Sequence, residues 1–264
     1  MNFKLTHIPA RAQKPREKGV TMMMDKGLSL RETENFIEAS AHLTDIVKFG
    51  FGTAFVTPNI KEKVKLYEDA GIRTYFGGTL FEAFYVRNQM DDFKRLIDQV
   101  GMNLLEVSDG SVIIPHDEKC ELITKFAKDY TVMSEVGSKE AGIIISPAKW
   151  IKMMTNELEA GSWKVIAEGR ESGSVGIFRP NGKPHTMLVN KIIAKVKPEN
   201  ILWEAPVKNQ QVWFISLFGA DVNLGNIAHN DMIPLECLRV GLRGDTFFNY
   251  LPEEIVNTRK QTQD

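Results

Sequence analysis

Charged residues stand at the ends of several apolar runs in this sequence, where they could take part in chemistry. Each of them follows a short run of valine, isoleucine, leucine, methionine or phenylalanine: Lys48, Glu106, Glu135, Glu168 and Glu204. An isolated buried charge is costly unless it is paired or binds a metal. One such residue is often half of a structural ion pair, but a set of them on different runs favours a site for a charged ligand. If a metal binds there, the carboxylate oxygens favour Mg²⁺.

Several other kinds of catalytic site find no support in the sequence. The histidines show neither HxH nor HExxH spacing, so a zinc site is not expected. Cys120 and Cys237 are the only cysteines, and no CxxC motif, GxSxG elbow or Walker sequence occurs. The sequence therefore leaves carboxylates, lysine and arginine as the groups that could carry the chemistry.

Short apolar runs separated by helical signals would position these charges. The runs start near residues 19, 45, 72, 102, 131, 164, 201 and 221, and they are GVTMMMD, DIVKFGFG, IRTYFGG, MNLLEVSDG, TVMSEVG, KVIAEGR, ILWEAP and DVNLG. Runs of this length and composition are typical of buried parallel strands. Among the helical signals, Ser29 with Glu32 forms a candidate capping box, and Ser146 with Pro147 can open a later helix.

This alternation predicts a parallel sheet with right-handed crossovers. Because the strand–helix unit recurs eight times, we expect a single closed (β/α)8 TIM barrel of the α/β class over residues 1–264, with residues 1–18 as a lead-in arm. A doubly wound open sheet is the alternative, but no GxGxxG follows the first run. In a barrel the charges at the strand ends would converge on the C-terminal mouth, where barrel active sites lie.

Composition narrows the class of protein further. The chain has 264 residues, of which 43% are hydrophobic and 25% charged, so a well-buried core is expected. The formal net charge of -1 gives no general footprint for nucleic acid. The N-terminus has no apolar signal region, and no apolar stretch approaches the roughly 18 residues that span a bilayer. We expect a cytoplasmic protein without a membrane segment.

The same strand ends carry a resemblance to a known family. Along nearly its whole length the chain resembles the phosphosulfolactate synthase family, the coenzyme M biosynthesis protein A group. The matching segments occur in the family's order, and they are KPREKGVTMMMDKGL, DIVKFGFGT, YFGGTLFE, EVSDGS, SEVGSKE, AEGRESGSVGIF, EAPVKNQQVWFI, VNLGNI and PLECLRVGLRGDT.

The resemblance implies a (β/α)8 barrel enzyme, a carbon–sulfur lyase that needs Mg²⁺ and adds sulfite to phosphoenolpyruvate to give phosphosulfolactate. Sulfolactate or coenzyme M would lie downstream. It also suggests a homo-oligomer, such as a trimer. Because the family resemblance extends to a plant heat-stress-associated protein, a stress-related barrel that acts through protein contacts is one alternative. A related enzyme acting on another enol phosphate or nucleophile is the other.

Within that resemblance we assign roles to individual residues as hypotheses. Lys139 is the candidate acid that protonates the intermediate. Lys48 and Arg170 are candidates for binding the substrate carboxylate or sulfite. Candidate Mg²⁺ ligands, or carboxylates next to the metal, are Glu106, Glu135 and Glu168.

Two further groups are candidates for binding substrate. Lys14 and Arg16 enter the first strand and could reach the same mouth, although a surface arm is the alternative. Barrels often bind phosphate through the loops after strands seven and eight. Asn223, Gly225 and Asn226 are therefore expected to form such a loop after strand eight.

Overall fold

A barrel of eight parallel strands forms the centre of the molecule in the computed structural model, which describes residues 3–137, 145–170 and 172–259. The strands are β1 Thr21–Asp25, β2 Ile46–Phe49, β3 Arg73–Phe76, β4 Leu104–Val107, β5 Thr131–Val136, β6 Lys164–Ala167, β7 Ile201–Glu204 and β8 Leu224–Ala228. Helices alternate with the strands along the chain, and the predicted (β/α)8 fold is confirmed.

Backbone hydrogen bonds join the strands in the order β3-β2-β1-β8-β7-β6-β5-β4. Every junction in this order is parallel, as when Met24 pairs with Lys48 and Lys48 with Tyr75. Strands β3 and β4 lie side by side at the remaining junction, but no backbone ladder joins these two described strands. We call this junction the seam. The barrel is thus nearly closed.

The helices pack around the barrel. They are α1 Leu30–Ser40, α2 Thr53–Val56, α3 Ile60–Asp69, α4 Gly78–Tyr85, α5 Met90–Val100, α6 His116–Phe126, α7 Pro147–Glu159, α8 Thr186–Ile193, α9 Lys208–Phe218, α10 Met232–Arg239 and α11 Glu253–Arg259. None of these described helices is both long and apolar enough to cross a membrane.

The helix ends predicted from sequence are largely confirmed. Ser29 caps α1, and Glu32 completes the capping box by accepting a bond from the Ser29 amide. Ser146 caps α7, where Pro147 takes the first helical position. These signals work because a capping side chain satisfies an amide that has no partner within the helix.

Two elements differ from the sequence prediction. Strand β8 begins at Leu224, three residues after the predicted start at 221, because Asp221 and Asn223 precede the strand. Helix α4 forms in a segment with two glycines, Gly77 and Gly78, that gave no helix signal in the sequence. Its remaining residues are mostly apolar and pack against β4.

The buried core has two parts, on opposite faces of the strands. Inside the barrel lies a small cluster with Met22, Ile46, Tyr75, Leu104, Met133, Ile166 and Leu202. A larger cluster lies between the strands and the helices and includes Val47, Leu105, Val165 and Trp203. Since successive side chains of a strand point to opposite faces, strands β1 to β7 contribute to both, and β8 contributes to the larger cluster.

The described part of the lead-in arm lies against the N-terminal end of the barrel. Arg11 forms ion pairs with Asp221 and Glu236. The ammonium of Lys164, at the start of β6, donates to the carbonyl of Glu17 over 2.8 Å. The arm therefore covers the end of the barrel at which the strands begin.

Candidate active site

A layer of charged side chains lies above the apolar cluster inside the barrel. Two positions beyond Ile46, Leu104, Met133, Ile166 and Leu202, the same face of each strand carries a charge. These charged residues are Lys48, Glu106, Glu135, Glu168 and Glu204, and all of them are buried. On these five strands the inward face thus changes from apolar to charged within two residues, at the C-terminal end of the barrel.

Lys48 lies among three of these carboxylates. Its Nζ is 3.1 Å from Glu106 Oε2, 3.2 Å from Glu204 Oε1 and 3.6 Å from Glu135 Oε2. Although burial lowers it, these carboxylates raise the pKa of Lys48 well above its ordinary value. Lys48 therefore stays an ammonium and is a poor proton donor near neutral pH.

Three carboxylates, Glu135, Glu168 and Glu204, form the group that we call the carboxylate triad. Each offers one oxygen, and the three oxygens lie within 4.8 Å of one another. All three residues are at most 3% exposed. Glu106 is not part of this cluster; its Oε1 accepts a 2.8 Å bond from the Gly78 amide and its Oε2 faces Lys48.

Backbone amides after β6 hold two members of the triad. Arg170 has a left-handed backbone with φ 58°. Its amide donates to Glu168 Oε1 over 2.6 Å and to Glu204 Oε2 over 2.9 Å, and the Gly169 amide donates to Glu204 Oε2 over 2.9 Å. Successive amides in such a turn form a concavity that suits an anion. Here that anion is a side chain of the protein, so the orientation of the triad is fixed from within.

The loop between β6 and α8 folds back onto Glu168. The amide of Ile177 donates to the Glu168 carbonyl over 3.0 Å. Gly176 has φ 62°, and a Cβ there would collide with that same carbonyl oxygen. Further along the loop, Gln210 from α9 donates to the carbonyls of Gly173 and Gly182. Because of this close return, the loop encloses the side of the triad next to β6.

The described walls of the mouth enclose a cavity of about 210 Å³. Its charged lining consists of the carboxylate triad, Lys48 and Arg170. Elsewhere its lining is neutral, and these residues are Met24, Phe51, Gly78, Thr79, Ser111 and Asn226. The carboxamide oxygen of Asn226 is buried and has no hydrogen-bond partner among the described residues. The cavity therefore combines carboxylates and cations with a neutral lining that is apolar at Met24 and Phe51 and polar at Thr79, Ser111 and Asn226.

Two predicted substrate-binding residues lie at the opposite end of the barrel. Lys14 Nζ donates to the Ala41 carbonyl over 3.0 Å, and Arg16 Nε lies 2.9 Å from Asp45 Oδ1. The prediction that they reach the mouth is wrong. The reason is topological: residues that precede a strand lie at its N-terminal end, which in a (β/α)8 barrel faces away from the mouth.

The predicted phosphate loop is also corrected. Asn223 lies before β8, where its side chain bonds Val20 N and the Glu199 and Ile201 carbonyls at the N-terminal end. Gly225 lies inside β8 and faces the interior, where a Cβ would meet Met22 Cε at 2.8 Å. Only Asn226 reaches the cavity. The loop was misplaced because β8 starts later than its sequence suggests.

Lys139 lies outside the described residues, so its predicted role as an acid stays a prediction. Among the other predicted residues, the structure brings together Lys48, Glu106, Glu135, Glu168 and Arg170 at the mouth. Glu204 was recognised in the sequence as a strand-end charge but was not predicted as a metal ligand. Glu204 ends the segment LWE as Glu106 ends the segment LLE, with a leucine two positions earlier in both. This shared pattern could have added Glu204 to the candidate carboxylates. Thr79 and Ser111 carried no sequence signal.

Comparison with protein families gives a match over most of the chain. A family model described as (2R)-phospho-3-sulfolactate synthase (ComA) matches residues 9–245. The chain is 41% identical over 238 residues to phosphosulfolactate synthase of Methanocaldococcus jannaschii, covering 88% of this chain and 94% of that protein. It is 38% identical over 251 residues to phosphosulfolactate synthase of Bacillus subtilis, covering 94% of this chain and 100% of that protein.

A more distant relative in sequence and a solved structure are also similar to the chain. Protein HEAT-STRESS-ASSOCIATED 32 of Arabidopsis thaliana is 22% identical over 260 residues, covering 87% of this chain and 88% of that protein. Among solved structures, 3-hexulose-6-phosphate synthase from Salmonella typhimurium gives a TM-score of 0.54 at 12% identity, covering 85% of this chain and 100% of that one. At 12% identity this structural similarity supports the barrel fold and nothing further.

Proposed function

Because the chain belongs to the (2R)-phospho-3-sulfolactate synthase family, we propose that this enzyme adds sulfite to C3 of phosphoenolpyruvate in a reaction that needs Mg²⁺. Sulfur bonds to C3, the electrons of the double bond move toward C2 and the carboxylate, and a proton then adds at C2. Sulfite is already a nucleophile, so the reaction needs no activated serine or cysteine. The main difficulty is to bring two anions together.

The observation that carries the proposal is the charge of the cavity. Its described wall and the layer next to it contain four buried carboxylates, on Glu106, Glu135, Glu168 and Glu204, against the cations of Lys48 and Arg170. Such a wall repels phosphoenolpyruvate and sulfite unless a further cation is bound. A divalent cation beside the carboxylate triad would reverse that repulsion.

The residues present fit Mg²⁺. Glu135, Glu168 and Glu204 offer three hard oxygens that lie close enough to share one ion, and Mg²⁺ prefers oxygen ligands. When bound, Mg²⁺ would supply a Lewis acid that stabilises negative charge on the substrate carboxylate. Amides of Gly169 and Arg170 keep the carboxylates of Glu168 and Glu204 in position without the ion.

The remaining groups of the cavity would bind and orient the anions. The guanidinium of Arg170 is suited to a carboxylate or to sulfite, since its fixed donors match planar or multi-oxygen anions. Lys48 is paired with carboxylates, so its main role would be to reduce the electrostatic repulsion between Glu135 and Glu204. The neutral polar groups of the lining, on Asn226, Thr79 and Ser111, would bind the phosphoryl group.

Lys139 is the proposed acid for C2. We expect Lys139→Ala to lower turnover by about 10² to 10⁴, the usual contribution of general acid catalysis. Substrate affinity should change much less, because the proton moves only in the transition state. Lys139→Arg should also be inactive, since a guanidinium is a very poor acid near neutral pH. An active Lys139→Arg variant would instead indicate that Lys139 binds an anion through its positive charge.

The proposal is tested by incubating the purified protein with phosphoenolpyruvate, sulfite and Mg²⁺ and following the products by phosphorus NMR. A new phosphate ester that forms only when sulfite and the metal are present supports it. Omission of each component in turn provides the controls. No new ester with sulfite would refute it, and conversion with another nucleophile would identify a related enol-phosphate enzyme.

A further inference from the structure

A buried lysine outside the cavity joins two of the segments that form it. Lys119 of α6 is fully buried. Its Nζ lies 2.6 Å from the main-chain carbonyl of Glu135, at the end of β5, and 2.8 Å from Oδ1 of Asp109, in the loop after β4. That loop also contains Ser108, whose Oγ lies 3.0 Å from Oε1 of Glu135. Lys119 therefore holds both the main chain of Glu135 and a loop that contacts its side chain.

A second buried charge completes this arrangement from α7. Glu157 is fully buried, and its Oε1 lies 2.9 Å from Lys119 Nζ. The hydroxyl of Ser134, the residue before Glu135, lies next to Glu157 and accepts a 2.8 Å bond from Ser162. Polar contacts from two helices thus surround β5 at Ser134 and Glu135. We call Lys119 and Glu157 the α6–α7 ion pair.

The α6–α7 ion pair lies in surroundings that are mainly apolar. It lies in the layer between strands and helices, beside apolar residues such as Ile123, Met154 and Val136. Replacing a buried ion pair with well-packed apolar residues is often neutral or stabilising, so stability alone gives no reason for it. Its contacts instead concentrate on the strand that supplies a member of the carboxylate triad.

We propose that the α6–α7 ion pair is a positioning device for Glu135, which sets the height and orientation of this carboxylate in the triad. Lys119 and Glu157 do not line the cavity, so they would act through Glu135 and are positioning residues. The inference rests on the proposed function, because it assumes that the triad binds a divalent cation. Residues that orient metal ligands typically change metal affinity by about 10- to 100-fold when they are altered.

The test separates position from stability. The double variant Lys119→Met/Glu157→Leu removes both charges of the pair and leaves only Asp109, whose side chain is 15% exposed, without its partner, so its unfolding temperature should stay close to that of the wild type. We expect its Mn²⁺ dissociation constant, measured by electron paramagnetic resonance on the whole protein, to rise by about tenfold or more. Turnover at saturating Mn²⁺ should also fall, because Glu135 is displaced even when the ion is bound.

A matched control is the buried pair of Lys63 and Asp25, whose atoms Nζ and Oδ2 are 2.7 Å apart at the end of β1. It has the same chemistry, but β1 supplies no member of the triad. Lys63→Met/Asp25→Asn should leave the Mn²⁺ dissociation constant unchanged. If the first double variant does not fold, Lys119→Gln/Glu157→Gln replaces it, because amides can bond to each other without reaching the Glu135 carbonyl.

The outcomes distinguish this inference from the proposed function. Wild-type protein that binds no Mn²⁺ would overturn both. Wild-type protein that binds Mn²⁺, with a folded α6–α7 double variant that binds it equally well and turns over at the same rate, would overturn the positioning role alone. Equal weakening in the Lys63 control would also overturn it, since the effect would then be a general loss of packing.

Discussion

Glu106 and Glu168 have the same residue type and the same place at the end of a strand, but their surroundings differ. Both oxygens of Glu106 face groups of the protein, the amide of Gly78 and the ammonium of Lys48. Glu168 accepts an amide bond from Arg170 and contributes an oxygen to the carboxylate triad. The two residues are therefore expected to respond differently to loss of charge.

We expect Glu168→Gln to raise the Mn²⁺ dissociation constant by at least about tenfold, because one of three charged ligands is lost. Glu106→Gln should change Mn²⁺ binding much less and lower the free energy of unfolding instead, because Lys48 loses its nearest charged partner. Metal titration and thermal unfolding of both variants make the comparison. Equal losses of Mn²⁺ affinity would show that Glu106 is also a ligand.

His116 links stability to pH at the start of α6. Burial and the neighbouring Lys119 ammonium lower its pKa from the ordinary value of 6.5. The unfolded chain then binds the proton more readily, so this residue weakens the fold as pH falls from about 6.5 through its lower folded pKa. We expect His116→Gln to reduce the fall in Tm between about pH 7.5 and pH 5.5. Parallel curves for the variant and the wild type would contradict this.

The sequence predicted which residues carry charge at the mouth, but not how they are grouped. Strand periodicity shows which residues share a face with each of Glu106, Glu135, Glu168 and Glu204, and these charges converge at the mouth if those faces point inward. Which three oxygens meet depends on distances between strands, because Lys48 contacts Glu106, Glu135 and Glu204 alike, yet Glu106 is not among the three. Those distances are set by the stagger of the barrel, which has no signature within one strand.

At the scale of elements, the loop between β6 and α8 shapes one wall of the cavity. Its return over Glu168 depends on Gly176, which combines a left-handed backbone with a close approach to the Glu168 carbonyl. The sequence ESGSVG signals a turn in this region but does not say that the turn touches a strand end. That contact is tertiary, like the late start of β8, so neither could be predicted from local pattern.

Gly176→Ala should therefore impair the site more than the fold. The added Cβ has to displace the Glu168 main chain, so we expect weaker Mn²⁺ binding and lower turnover in a protein that still folds. Gly101→Ala is the matched control: Gly101 has φ 81°, with no atom within 4 Å of the added Cβ. It should cost about 1 kcal/mol through backbone strain alone. Similar Mn²⁺ binding in both variants would contradict the assignment.

At the scale of the whole molecule, the two ends of the barrel divide the work. Charges at the mouth surround a cavity, whereas those at the N-terminal end, such as Arg16 with Asp45, are paired with each other. The predicted homo-oligomer and the single-domain extent of residues 1–264 stay predictions. The division itself implies that variants at the two ends affect different properties.

Arg16→Ala should lower stability and leave the chemistry intact. Its side chain and that of Asp45 are only 5% and 7% exposed, and breaking a buried pair costs about 3 kcal/mol or more. We expect Tm to fall by about 6 °C or more, with kcat/KM unchanged below the transition. Arg31→Ala is the control, because Arg31 is 83% exposed in its pair with Glu34. A selective rise in KM for Arg16→Ala would return this residue to the active site.

The seam between β3 and β4 gives the mouth a mechanical role. Backbone ladders join the described strands at seven junctions of the barrel. At the seam, the Glu106 side chain makes the connection instead: its Oε1 accepts from the Gly78 amide, and its Oε2 faces Lys48 on β2. Gly78 has no room for a side chain, since a Cβ would collide with Glu106 and Ser108. Local separation of the strands is therefore expected to start at the seam, which lies on the rim of the cavity. A ligand that restricts the motion of the carboxylates would therefore also hold the two sides of the seam together.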